Sequence, residues 1–199
     1  LGELGITVDA YVESIGPVSI SMDRFNLEEA RRNPTGMPDA EASAQAEEYL
    51  QKCIENQDSA GGVVSCKVHG MPAGIGEPVF DKLDACLGQA VMSIGAVKAF
   101  AVGDGCEVSK KNGSTNNDAF CNVNGQISKK TNHAGGILGG ISDGSDIILR
   151  AYFKPTPSIY QKQQTINQAG EEIEIQIKGR HDPIVVSRAV VVVEAMTAV

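Results

Sequence analysis

Residues 61–94 read GGVVSCKVHGMPAGIGEPVFDKLDACLGQAVMSI and carry the clearest structural patterns of the chain. Apolar and polar residues alternate from Val64 to Val68, which is the period of a half-buried strand. Apolar residues then recur along one helical face from Leu83 to Ile94, and Pro78 suits the first turn of that helix. The stretch therefore predicts a strand, a connecting loop and an amphipathic helix.

The flanking sequence repeats this mixture. Alternation over 6–13 predicts a strand, and Asp39 is a plausible N-cap of a helix that continues past Cys53 and closes at Gly61. The tail from Pro183 to Val199 predicts a helix, although its run of valines also favours a strand. Further strands are predicted at 147–153, near Thr165 and at 172–177. The whole pattern predicts an α+β fold in which 1–199 form a single domain.

Composition excludes several classes of protein. Hydrophobic residues make up 42% and charged residues 21% of 199 residues, as in an ordinary globular domain. The net charge of −8 disfavours nucleic-acid binding. Neither a membrane-spanning apolar run nor a signal-peptide pattern is present, so we expect a cytoplasmic protein. Five cysteines without a CxxC pair favour reduced thiols over disulfides or zinc, and no metal site is predicted.

A long polar segment precedes the strand at 147–153. Residues 103–136 show little periodicity, and a loop of that length is usually functional or mobile. It runs into Asn132–Gly144, NHAGGILGGISDG, whose five glycines let a backbone approach a ligand closely. A flavin or phosphate cradle and a pair of tight turns are both consistent with this segment. It matches neither the GxGxxG nor the Walker pattern.

Two further segments bring charged and polar groups together. Lys154–Ser158, KPTPS, combines a lysine and two hydroxyls on a backbone that two prolines stiffen. Gly179–Pro183, GRHDP, places Arg180, His181 and Asp182 before a predicted helix, where they could bind an anion and move a proton. An ordinary strand exit and a surface ion pair beside an N-cap remain alternatives from composition alone.

Six blocks in order resemble the chorismate synthase family. They are MPAGIGEPVFDKLDA from Met71, MSIGAVKAF from Met92, the GSxxND pattern of 113–118, NHAGGILGGISDG, KPTPSI, and GRHDP followed by RAVVVVEAM. The resemblance covers nearly the whole chain. The family's first portion, with its GESHG, PGHAD and RSSARETA segments, has no counterpart here, so we interpret the chain as the C-terminal part of such an enzyme.

The resemblance implies a fold, a reaction and a cofactor. The fold is a β-α-β sandwich with helices packed against antiparallel sheets, here truncated. The family converts 5-enolpyruvylshikimate 3-phosphate to chorismate and phosphate in the shikimate pathway of aromatic amino acid biosynthesis, and it needs reduced FMN without net redox change. NADPH is a possible reductant, and the family is typically homotetrameric.

The resemblance also implies roles for particular residues. Asp182 falls on the motif aspartate that is proposed to relay the ring proton, and it is the expected catalytic residue. The positions expected to bind FMN are Gly95, Ala96, Gly139, Lys154, Pro155, Thr156, Pro157, Ser158 and Arg180. Pro157 stands where a serine is common, which removes one hydroxyl donor.

Other functions stay open at this point. A non-catalytic module could hold a phosphate-bearing ligand with Lys154 and Arg180, although it would gain nothing from the carboxylate of Asp182. An oligomerisation fragment would use the apolar, valine-rich tail. If the chain is part of the enzyme, the 199 residues alone are expected to be inactive, because the family's catalytic histidines lie in the absent portion.

Overall fold

The computed structural model describes residues 1–179 and 182–199. Helices and strands alternate irregularly along it, together with short 3-10 turns at Gly2–Leu4, Met22–Arg24 and Gly105–Lys110. The helices are α1 Leu27–Ala30, α2 Ala40–Glu55, α3 Leu83–Met92, α4 Gly113–Asn116 and α5 Val186–Ala198. The strands are β1 Thr7–Ile15, β2 Val18–Ser19, β3 Gly62–His69, β4 Val97–Val102, β5 Phe120–Val123, β6 Gln126–Lys129, β7 Ile137–Leu138, β8 Ile141–Ser142, β9 Ile147–Phe153, β10 Gln163–Ile166 and β11 Glu172–Ile175.

One five-stranded sheet has the order β2-β1-β3-β9-β4, and three antiparallel hairpins pair β5 with β6, β7 with β8 and β10 with β11. The described residues fall into two compact units. The first unit comprises 1–10, 64–152 and 190–199, and the second comprises 11–63 and 153–189. The predicted α+β class is confirmed by this mixture of helices and antiparallel pairs.

The core of the first unit is aliphatic. Helix α3 contacts β4 and the short strand β8, and it buries Leu87 and Val91. Other buried side chains of this unit are Val64, Cys66, Val68, Val97, Ile137, Ile147, Leu149 and Val193. Burial raises the pKa of the Cys66 thiol to about 12, so this cysteine stays protonated in the folded protein.

The second unit is organised around α2, which contacts β2. The predicted N-cap is confirmed, since the fully buried carboxylate of Asp39 accepts hydrogen bonds from the N–H groups of Glu41 and Ala42 at 3.1 and 3.2 Å. Arg24 donates to the same carboxylate at 2.9 and 3.0 Å. The hydrogen bond from Arg24 outweighs the effect of burial and lowers the pKa of Asp39 to about 2.

One predicted boundary of α3 and one of α2 are wrong. Helix α3 begins at Leu83 rather than near Pro78, because the N–H of Leu83 donates to the Gly140 carbonyl at 2.7 Å and residues 76–82 form a loop. Helix α2 ends at Glu55, well before Gly61, and Gln57 takes a left-handed φ of 59° just beyond it.

Residues 103–136 are not a structureless loop. They hold a 3-10 turn, helix α4 and the β5–β6 hairpin, whose turn consists of Asn124 and Gly125 with φ values of 54° and 86°. A two-residue turn with positive φ at both central residues matches the right-handed twist of the two strands that it joins. The Asn-Gly pair was therefore a local signal of this hairpin.

The tail forms the predicted helix, α5 at Val186–Ala198, but its predicted start at Pro183 is wrong. It begins three residues after Pro183, so Asp182 lies outside its first turn. Among residues 1–179 and 182–199, no helix combines the length and the apolar character needed to cross a bilayer.

Candidate functional site

The glycine-rich segment forms a tight hairpin in the first unit. Leu138 pairs with Ile141, and the two residues between them, Gly139 and Gly140, have φ values of 60° and 86°. Both conformations lie in the left-handed region, which glycine adopts without strain. The sequence left open a ligand cradle and a pair of tight turns as interpretations of this segment. The structure contains a tight turn, and the geometry of this turn is also compatible with a cradle.

The two glycines at the tip have different surroundings. A Cβ on Gly140 would lie 2.4 Å from Cγ of Lys82, so this glycine is closed in by the loop before α3. A Cβ on Gly139 would meet nothing within 4 Å. The backbone at Gly139 therefore faces open space that a ligand could occupy.

The turn before this hairpin is held by a buried carboxylate. Asp118 accepts hydrogen bonds from the Thr131 hydroxyl at 2.6 Å, the His133 N–H at 2.8 Å and the Ala134 N–H at 2.9 Å. Burial alone would raise the pKa of Asp118, but these three hydrogen bonds outweigh it and lower the pKa. Asp118 belongs to the GSxxND block, but no pattern in the sequence predicts its hydrogen-bond partners.

A second aspartate acts on the same turn. Asp104 donates its N–H to the His133 carbonyl at 2.9 Å, and its carboxylate contacts Nδ1 of His133 at 2.6 Å. Lys111 donates to the same carboxylate. The hydrogen bond from Lys111 is the largest influence on Asp104, and together with His133 it overcomes burial to lower the pKa of that carboxyl.

Gly95 and Ala96 lie in the turn between α3 and β4, also in the first unit. Ala96 has a φ of 73°, which costs a residue with a side chain about 1 kcal/mol. A Cβ on Gly95 would meet nothing within 4 Å. This turn therefore exposes strained backbone at the position that the resemblance assigns to FMN.

Lys154–Ser158 leaves the end of β9 in the second unit. The carbonyl of Thr156 accepts a hydrogen bond from the Ser59 hydroxyl at 2.7 Å. The Thr156 hydroxyl oxygen is itself buried and has no hydrogen-bond partner within the described chain. A buried hydroxyl without a partner is destabilising by about 1–3 kcal/mol, so a bound ligand that supplied a partner would recover that free energy.

Ser158 and Asp182 line the same cavity of about 320 Å³. Its other walls come from the end of α2 and the residues after it, namely Ile54, Gln57, Asp58 and Ser59, and from Ile159, Tyr160 and Pro183. The Asp182 carboxylate accepts a hydrogen bond from Arg188, and Ala60 N–H donates to the Pro183 carbonyl at 2.8 Å. The structure thus brings the predicted catalytic carboxylate and one predicted cofactor ligand to one cavity.

The predicted site residues divide between the two units. Gly95, Ala96 and Gly139 belong to the first unit, whereas Lys154–Ser158 and Asp182 belong to the second. Arg180, together with His181, lies outside the described residues. Within the described part of the chain, no three His, Cys, Asp or Glu side chains are grouped as metal ligands would be.

Comparison with known proteins gives consistent results. A protein-family model described as chorismate synthase matches residues 1–199. The chorismate synthases of Lachnoclostridium phytofermentans and Agathobacter rectalis are 60% and 55% identical to the chain over 199 residues. A solved structure described as a crystal structure of chorismate synthase superposes with a TM-score of 0.80 at 26% identity and covers 99% of the chain. The chain spans only 54% of the two relatives and 56% of that structure, about half their length.

Proposed function

The chain belongs to the chorismate synthase family, and we propose that it carries part of the active site for the elimination of phosphate from 5-enolpyruvylshikimate 3-phosphate. In this 1,4-elimination a carbon–oxygen bond to phosphate breaks and a ring proton is removed. The electron pair of the lost C–H bond becomes part of a new ring double bond, so chorismate and phosphate form without net redox change. The proposal also includes a cytoplasmic, homotetrameric enzyme whose flavin is reduced with NADPH.

The observation that carries the proposal is the unpartnered hydroxyl of Thr156. This buried oxygen lies in KPTPS, the segment in which the family resemblance expects flavin ligands. A hydroxyl can donate to a phosphate oxygen or a flavin carbonyl, and Lys154 adds a positive charge two residues away. The residues therefore fit FMN in both hydrogen-bonding capacity and charge.

The other residues have complementary roles in the proposal. Ser158 adds a second hydroxyl, and Arg180 adds a guanidinium suited to an anion. Gly139 and the turn at Gly95 and Ala96 present backbone without an obstructing side chain. When bound, reduced FMN supplies electron density as the phosphate leaves.

Asp182 is proposed to be the base that holds the proton removed from the ring. Its carboxylate lies at a cavity, and Arg188 orients it through a hydrogen bond. A positioned base typically contributes a factor of about 100 or more to the rate. A site that only bound an anion would be weakened by a carboxylate at this place, so Asp182 favours an enzyme over a binding module.

Turnover is the test of this function. The 199-residue chain is expected to show none, since the family's two catalytic histidines lie in segments without a counterpart here. The joined enzyme, defined as this chain fused to the portion of the L. phytofermentans relative that it does not match, is expected to form chorismate with reduced FMN. Turnover by the chain alone, or none by the joined enzyme, would contradict the proposal.

Within the joined enzyme, Asp182→Asn tests the base. We expect the variant to bind FMN normally and to slow elimination about 100-fold or more, because the amide cannot accept the proton. Single-turnover formation of chorismate measures the rate, and quenching of FMN fluorescence measures binding. Normal FMN binding without turnover in the parent protein would instead favour the non-catalytic module, as would failure of a phosphorylated shikimate analogue to form a ternary complex.

A further inference from the structure

The hydrogen bonds described for the Asp118 side chain all go to one turn of the chain. The residue is 9% exposed, and its two carboxylate oxygens accept from one hydroxyl and two consecutive backbone N–H groups. A carboxylate with several hydrogen-bond donors is a strong acceptor, and the N–H groups of His133 and Ala134 would be left unpaired without it. The conformation at the start of the glycine-rich segment therefore depends on this side chain.

Further hydrogen bonds extend from this turn to the hairpin that follows it. Asn132 accepts from the Gly136 N–H at 2.8 Å through its amide oxygen, and its amide nitrogen donates to the Asp146 carbonyl at 2.8 Å. The Asp143 N–H donates to the Gly136 carbonyl at 3.0 Å and so closes the base of the hairpin. The base of the hairpin is thus fixed to the turn that Asp118 holds.

The tip of the hairpin has support on one side only. The Gly140 carbonyl accepts from the Leu83 N–H, whereas no atom lies within 4 Å of the position of a Gly139 Cβ. The direction of the Gly139 backbone is therefore set by the contact at Gly140, by the backbone hydrogen bonds of Ser142 to residues 74 and 75, and by the base of the hairpin.

We propose that Asp118 is a positioning residue for the cofactor: it holds the turn at 131–134 so that the Gly139 backbone is presented to the flavin. The proposal rests on the proposed function, because it assumes that FMN lies against Gly139. In this proposal, Asp118 itself contacts neither the substrate nor the cofactor. A buried carboxylate that only stabilised the fold would change stability without changing the affinity of the folded protein for FMN.

Asp118→Asn in the joined enzyme is the direct test. The amide group has one acceptor oxygen, and its nitrogen must face either the His133 N–H or the Ala134 N–H. One backbone donor therefore loses its partner in either orientation, and the turn must shift. We expect the dissociation constant for FMN, measured by fluorescence quenching at a temperature where the protein is folded, to rise about tenfold. We also expect a changed visible circular dichroism of the bound flavin.

Asp39→Asn is the matched control. Asp39 is likewise a buried carboxylate that accepts several hydrogen bonds, but it lies in the second unit at the N-terminus of α2. We expect this variant to unfold at a lower temperature while its FMN dissociation constant and flavin spectrum stay unchanged. A tenfold loss of affinity in both variants would mean that destabilisation alone explains the effect, and the proposal would be overturned.

Thr131→Val keeps the proposal testable if Asp118→Asn does not fold. It removes one of the three donors and leaves both backbone hydrogen bonds, so we expect a rise of about two- to threefold in the dissociation constant. Unchanged affinity in every folded variant of this turn would overturn the positioning role. If the parent protein binds no FMN, the proposed function itself fails, which is a different result from normal binding by the variants.

Discussion

The glycine-rich hairpin and the segment after β9 are assigned to the same cofactor by the family resemblance, yet they are built in opposite ways. Around the hairpin, Asp118 and Asn132 satisfy backbone groups, and Gly140 is packed against Lys82. After β9, the Thr156 hydroxyl is buried without a partner, and Asp182 lies at a cavity. The first region offers a shaped backbone, and the second offers side-chain groups that need a ligand.

This difference predicts different responses to ligand. Where the internal hydrogen bonds are complete, a substitution lowers stability whether or not FMN is present. Where a polar atom has no partner, a substitution can leave the free protein unharmed and still weaken the complex. Stability and FMN affinity, measured on the same variants of the joined enzyme, therefore separate the two regions.

The largest effect is expected at the hairpin tip. Gly140→Ala must hold alanine at a φ of 86° and displace Lys82, whose Cγ would lie 2.4 Å from the new methyl group. Backbone strain and overpacking together lower the free energy of unfolding by about 3 kcal/mol. Gly139→Ala, the matched variant, carries only the strain of about 1 kcal/mol because its methyl group meets nothing.

The affinity for FMN is expected to follow the opposite order. The methyl group of Gly139→Ala projects into the open space, so this variant loses at least about tenfold in affinity although it is the more stable of the two. Urea unfolding and fluorescence titration measure the two quantities. If Gly139→Ala bound FMN normally, the open face at Gly139 would not be a cofactor surface.

Local signals in the sequence predicted the elements whose boundaries depend on neighbouring residues. The Asp39 cap and the alternation in β1 need only a few adjacent positions, and both the cap and the strand form as predicted, although α2 ends earlier than predicted. The start of α3 could not be predicted from adjacent positions, because the Leu83 N–H donates to the carbonyl of Gly140, which is 57 residues further along the chain. The missed β5–β6 hairpin is different, since its Asn-Gly turn was present in the sequence.

The same reasoning explains what was missed at the site. Lys154, Thr156 and Asp182 are reactive residue types in compact motifs, so a pattern of a few residues identifies them as candidates. Asp118 acts through backbone N–H groups 15 and 16 positions away. Sequence spacing carries no information about which backbone a carboxylate will contact across such a loop.

A smaller effect distinguishes two threonines. Thr131 donates to Asp118 at 2.6 Å, whereas the buried Thr156 hydroxyl oxygen has no partner in the described chain. Thr131→Val is therefore expected to lower the free energy of unfolding by about 1 kcal/mol. Thr156→Val has nearly the same shape, and without FMN it is expected to be neutral or slightly stabilising because it removes an unsatisfied polar group.

With FMN present, we expect Thr156→Val to be the more strongly affected of the two threonine variants. Thr156→Val loses one neutral hydrogen bond to the ligand, so we expect its dissociation constant for FMN to rise about fivefold. The expected rise for Thr131→Val is about two- to threefold. Urea unfolding with and without FMN measures both effects. A Thr156→Val protein that is destabilised by about 1 kcal/mol in the absence of FMN would show that this hydroxyl has an internal partner after all.

The last comparison concerns acid, and it tests whether a buried, fully hydrogen-bonded carboxylate stabilises the protein through its charge. The Arg24 guanidinium lowers the pKa of Asp39 from 3.8 to about 2, so the folded state holds this carboxylate ionised more strongly than the unfolded chain does. A lowered pKa contributes stability that is fully present above about pH 4 and is lost as the pH falls towards 2.

Asp39→Asn removes this contribution at every pH. At pH 6 we expect it to unfold with about 1–2 kcal/mol less free energy than the parent, a range that allows for solvent screening of the half-exposed Arg24. Urea unfolding at pH 6, 4 and 2.5 should show the gap between the two proteins narrowing as the pH falls, because the parent carboxyl becomes neutral as well. A constant gap would mean that Asp39 stabilises the cap of α2 by hydrogen-bond geometry alone, independently of its charge. The lowered pKa values of Asp104 and Asp118 predict that the turn at 131–134 also loses stability as the pH falls, so acid is expected to weaken FMN binding there.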